Sequence, residues 1–119
     1  MNWYVVKLLP HWPLRAINCP VPSKLLIFKS EYLLAKTEIV DQEIQQEEDN
    51  YIAALEWGES LGADIACASL GYLDWYNYED LDGNTAQTTI AVDIASSLGV
   101  LCVNSAGNSG DDDWYYIIT

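Results

Sequence analysis

Twice in the second half of the chain, an amphipathic stretch ends in Ser-Leu-Gly and runs straight into a short apolar segment. Ser60-Leu61-Gly62 precedes Ala63–Ala68, and Ser97-Leu98-Gly99 precedes Val100–Val103. Glycine is a natural helix stop because it enters the left-handed region without a Cβ clash. A short apolar run bounded by turn residues reads as a buried strand. Two helix–stop–strand units in tandem predict a parallel sheet with crossover connections. Both strands then run into small residues, Ser69-Leu70-Gly71 and Ser105-Ala106-Gly107. In a parallel sheet these two turns share one rim, the end where ligands bind in open α/β folds. Exposed backbone there suits an extended peptide. Asn108 adds a side-chain amide able to donate to a developing negative charge. The same residues also read as ordinary Gly-rich connections with an Asn tolerated in a turn.

The first helix is expected over about 51–61, with Ile52, Leu55 and Leu61 beside small Ala54 and Gly58 on its apolar face. The acidic run Ile39–Asn50 before it reads as a solvated face, with Asp49 or Asn50 as cap. The second helix is expected over about 85–98, with Ile90, Ile94 and Leu98 on one face. Ser30–Lys36 and Trp114–Ile118 read as further strands. Between the two units, Tyr72 to Asn84 is an aromatic and acidic loop. Its Asp80-Leu81-Asp82-Gly83-Asn84 resembles the opening of a calcium loop. The glycine is misplaced, however, and position twelve is Ala91 rather than Glu, so an EF-hand is rejected. A looser calcium site and a solvated loop both remain as readings.

Charge divides the chain. All five basic residues lie at or before Lys36, and of the 18 acidic residues every one but Glu31 follows Thr37, for a net charge of −13. Phosphate binding needs Lys or Arg, so nucleic acid is excluded as a partner of the acidic part. No apolar run reaches the ~18 residues of a membrane span, and none is expected. No signal peptide is visible at the N-terminus. All four prolines lie between Pro10 and Pro22, and residues 1–28 show no period. They are expected to be an irregular segment, either an ordinary arm or a stretch not native to the fold of residues 29–119. Cys19, Cys67 and Cys102 form no CxxC pair, so neither a zinc site nor a disulfide framework is expected. Cys67 and Cys102 read as small buried hydrophobes.

Taken together, Asp64–Gly71, the helix before Gly99, and Gly99–Asn108 resemble the middle of a subtilisin-like serine peptidase. Tyr32–Glu38 and Glu56-Trp57 extend the likeness to about residues 30–119. The resemblance implies a three-layer α/β/α fold with a mostly parallel sheet, here incomplete. It implies that Asn108 is the side-chain donor of an oxyanion hole. Ser69, Leu70 and Gly71 would pair with substrate and edge the specificity pocket, and Ser105, Ala106 and Gly107 would form another wall. A peptide or protein would be the substrate of the full-length enzyme, in a secreted or extracellular setting. No cofactor is implied, and calcium belongs at most to the full-length family.

The family's Asp, His and Ser follow in that chain order. No early Asp-Thr/Ser-Gly is present, and the first acid is Glu31. The one histidine, His11, sits in His11-Trp12-Pro13 rather than His-Gly-Thr, so it is at most a displaced relic. No Gly-Thr-Ser follows. The expectation is therefore a central fragment of a subtilisin-like endopeptidase, keeping an oxyanion donor and pocket walls without nucleophile or base, and inactive alone. Its strands, lacking neighbours, would expose apolar edges and fold poorly. The alternative is a non-catalytic acidic α/β module whose aromatic loop binds a basic or extended partner.

Overall fold

The computed structural model describes residues 3–7, 31–39, 41–111, 113–114 and 116–117. Among them the order is β1 (Trp3–Lys7), β2 (Glu31–Ala35), α1 (Gln46–Ser60), β3 (Ile65–Ala68), α2 (Gln87–Ser97) and β4 (Leu101–Asn104), with a 3-10 turn at Tyr78–Asp80. The sheet order is β2-β1-β3-β4. The chain is thus α/β, and the predicted parallel pair is present: Ile65 pairs with Leu101 and Ala68 with Asn104. The rest of the sheet departs from the mostly parallel expectation, because β1 runs antiparallel to both β2 and β3. β1 comes from the segment expected to be irregular. Trp, Tyr and Val favour strands, but a five-residue run ahead of clustered prolines is too short to show a period. Residues 8–30, with His11 and Cys19, lie outside the described residues.

Both Ser-Leu-Gly sequences are helix stops of one construction. Gly62 (φ 76°) and Gly99 (φ 100°) adopt left-handed backbone. After α1, Ala63 N donates to Gly58 O at 3.0 Å and Gly62 N to Glu59 O at 2.7 Å. After α2, Val100 N donates to Ala95 O and Gly99 N to Ser96 O, both at 3.0 Å. This paired pattern is the Schellman motif, which satisfies carbonyls a helix end leaves open. Each serine also donates its hydroxyl three residues back, Ser60 to Trp57 O and Ser97 to Ile94 O. The residues just past the glycines, Ala63 and Val100, are buried and start the core.

Strand alternation sends Ala66 and Ala68 to one face, and register adds Cys102 and Asn104. Both helices pack there. Tyr51 and Leu55 of α1 and Ala95 of α2 join Ala63, Ala66, Ala68, Tyr72 and Val100 in one cluster. The small residues let α2 lie close, so its buried stripe is Ala95 with Ala91 and Val92 partly covered. The predicted face is displaced: Ile94 and Leu98 are 54% and 62% exposed. Leu61 is likewise exposed, since it sits at the cap rather than on the helix face. Cys67 and Cys102 are half-buried free thiols, and their register places them on opposite faces.

α1 begins five residues earlier than the predicted boundary, so Asp49 and Asn50 lie inside it and Gln45 is the cap residue without a side-chain bond. The acidic run is not wholly solvated. Glu47 and Glu48 are buried. Glu47 accepts backbone amides from Ile39 at 2.5 Å and Ile44 at 3.3 Å, which ties the incoming segment to the first helical turn. Carboxylates also suit the positive end of the helix dipole. Of the predicted last strand, Trp114 lies in a turn and Tyr116 in a bend, with Trp114 Nε1 donating to Ile117 O. Tyr115 and Ile118 lie outside the described residues.

Candidate functional site

The parallel pair fixes the rim. Leu101 N donates to Asp64 O at 2.8 Å where the pairing starts, and Ser105 N to Ala68 O at 3.0 Å where it ends. Ser69–Gly71 and Ser105–Gly107 therefore leave adjacent strands side by side, as the repeated pattern predicts. Ser69 and Ala106 are exposed, while Leu70, Gly71, Ser105 and Gly107 are half-buried. Gly107 has φ 77°, a left-handed turn that brings the chain to Asn108. Asn108 is exposed, and its amide has no partner among the described residues. A free, neutral donor beside exposed strand-end backbone can bind a carbonyl oxygen or an oxyanion without titrating.

Next to Leu70 and Gly71 lies a cavity of about 380 Å³, bounded also by Tyr51, Val92, Asp93 and Asn104. Tyr51 is held there by a hydrogen bond with the Asn104 side chain. Burial raises its pKa, and that bond offsets part of the rise. Tyr72, the residue after the first rim turn, is buried. Its hydroxyl lies 3.0 Å from both Glu38 Oε1 and the Glu47 carbonyl. Burial first, then the Glu38 charge, pushes Tyr72 far above the usual tyrosine range.

One glutamate, Glu48, anchors the loop that continues from the rim. Trp75 Nε1 donates to Glu48 Oε2 at 2.7 Å and the Tyr76 hydroxyl to the same oxygen at 3.1 Å. Tyr76 Oη in turn accepts the Gln87 amide at 3.3 Å, one of the open donors at the start of α2. Tyr72 and Trp75 stack at 5.8 Å between centroids, and Tyr51 meets Tyr72 edge-on at 6.5 Å. Three of the loop's four aromatics are thus committed to the fold. The fourth, Tyr78, is exposed and stacks on Tyr116 at 3.9 Å. Glu48 Oε1 is buried and lacks a partner among the described residues. Sequence reasoning missed this clamp, because a glutamate run before a helix reads as surface. The one local signal is a loop rich in aromatic donors with no basic residue near.

Two acids of the loop, Asp80 and Asp82, shape turns. Asp82 Oδ1 accepts the amides of Asn84 and Thr85, each at 2.8 Å, and these bonds hold its pKa low. Asp80 accepts the amide of Asn77. Glu38, Glu43 and Glu47 bring carboxylate oxygens within 4.8 Å of one another, but both oxygens of Glu47 are already taken by backbone amides. No histidine lies beside Ser69, Ser105 or Ser109 among the described residues, so none has a base there. Burial raises the Cys102 thiol, the opposite of nucleophile activation. The arrangement can bind and polarise, and its described residues offer no nucleophile–base pair. Compared with protein-family models, with curated proteins and with solved structures, the chain finds no match.

Proposed function

We propose that this chain is the central part of a subtilisin-like serine endopeptidase domain. It supplies the peptide-binding rim and the oxyanion donor, while the nucleophile, base and orienting acid lie outside these residues. One observation carries the reading: the Ser105–Ala68 hydrogen bond sets Ser69–Gly71 and the Ser105–Asn108 turn on adjacent parallel strands. An extended substrate would pair with the first turn, and Asn108 would donate to the carbonyl under attack. The three-layer architecture belongs to the same proposal. Leu34, Leu101 and Val103 are 63%, 60% and 45% exposed on the face away from α1 and α2. β4 also has a free outer edge in the described sheet. An uncovered apolar face and an open edge are what a second helix layer and a further strand would cover.

Amide chemical shifts on titration with a blocked, extended peptide test the reading. The proposal expects shifts at Ser69–Gly71 and Ser105–Asn108. Shifts confined to Tyr72–Tyr78 would instead favour an acidic interaction module.

A further inference from the structure

Among the described residues, the cavity beside Leu70 and Gly71 is lined by one formally charged residue, Asp93, and Asp93 has no partner among them. Thr89, Asp93 and Ser96 lie four and three residues apart, so one face of α2 turns toward the cavity. Most of the polar side chains there are engaged. Thr89 donates to the Ala86 carbonyl, Ser96 is bonded to Cys102, and Asn104 to Tyr51. Asp93 makes no hydrogen bond or ion pair among the described residues. Among the described residues no lysine or arginine lines the cavity, and none follows Lys36 in the chain. Leu70 and Val92 give the same space an apolar wall. Its volume of about 380 Å³ is at the lower end of ligand pockets, room for one long side chain rather than a cofactor. An apolar wall with one free carboxylate matches an aliphatic stem that ends in a cation.

We propose that this cavity takes the basic side chain, arginine or lysine, of a peptide lying along Ser69–Gly71, and that Asp93 selects it. The inference rests on the rim being a peptide-binding edge. The peptide backbone pairs with the rim, the stem crosses Leu70 and Val92, and the guanidinium or ammonium meets Asp93. Thr88 offers a further hydroxyl at the same wall.

The test uses the whole chain and blocked alanine hexapeptides carrying one arginine, norleucine or glutamate, the position scanned along the peptide. Affinity is read by calorimetry at two salt concentrations. The arginine peptide is expected to bind about fivefold more tightly than the norleucine peptide at the best position, the scale of an exposed ion pair. That preference should shrink with added salt. Asp93→Asn should remove it, and Asp93→Glu should retain it. Asp93 is exposed on α2, so neither change disturbs the core. Equal binding of all three peptides, or a preference that survives Asp93→Asn, overturns the inference and leaves the rim reading intact. No binding by any peptide overturns both.

Discussion

The backbone amide of Ser105 donates to the carbonyl of Ala68 at 3.0 Å, one step beyond the last paired residues of β4 and β3. That bond carries the parallel ladder into the two small-residue turns. It holds Ser69 and Ser105 at the starts of neighbouring connections that leave the sheet side by side.

The two helix stops make a matched pair for mutation. Gly62→Ala and Gly99→Ala should each destabilise the chain by about 1 kcal/mol, the cost of a Cβ in left-handed backbone. At Gly99 no atom lies within 4 Å of an added Cβ, so the loss there is conformational rather than steric. Urea unfolding should show a lower midpoint with an unchanged slope.

Glu48 is the joint between α1 and the aromatic loop. Glu48→Ala strands the Trp75 indole N–H and the Tyr76 hydroxyl, and should cost about 2–3 kcal/mol. Tyr76→Phe, which removes one donor and the acceptor for Gln87, should cost about 1 kcal/mol. Near-ultraviolet circular dichroism would report the released Trp75.

Glu43 titrates against the fold. Burial, then the charges of Glu47, Glu38 and Asp74, raises its pKa above the ordinary glutamate value of 4.5. A raised carboxyl pKa means the folded state holds the proton more tightly. This group's penalty is absent at pH below 4.5 and grows as pH rises through the folded value. Glu43→Gln should therefore stabilise the fold at pH 7, by well under 1 kcal/mol for so exposed a group, and leave its stability unchanged at pH 4. Melting curves at the two pH values check the sign.

The outer sheet face should drive self-association. Leu101 and Val103 stand exposed there on β4, and Leu34 is exposed on the same face at the far edge, on β2. Leu101→Lys with Val103→Lys should shift sedimentation toward monomer at the same concentration. The exposed pair Ile94→Lys and Leu98→Lys on α2 should leave association through the sheet face in place.

Much of the fold was readable wherever local chemistry decides it. Gly62 and Gly99 mark helix ends because their backbone must be left-handed, and the apolar runs after them have room only as strands. β1 was not readable, since its pairing with β2 and β3 is a long-range choice that Trp3–Lys7 does not announce. The buried Glu47 and Glu48 were misread for a related reason. Their partners, Ile39, Trp75 and Tyr76, come together only in three dimensions, and a glutamate run by itself signals solvent. The rim residues were legible as small turns after strands. Asp93 was not, because only packing turns that face of α2 toward Leu70.

The most direct test of the central claim is the sequence of the transcript on both sides of this reading frame. The account predicts a His-Gly-Thr upstream and a Gly-Thr-Ser downstream that can be joined to these 119 residues in one polypeptide. In that joined chain, Asn108→Ala should lower turnover by about 10²–10³, the figure established for such a donor in subtilisin itself. Flanking sequence that carries neither motif in any frame would contradict the account.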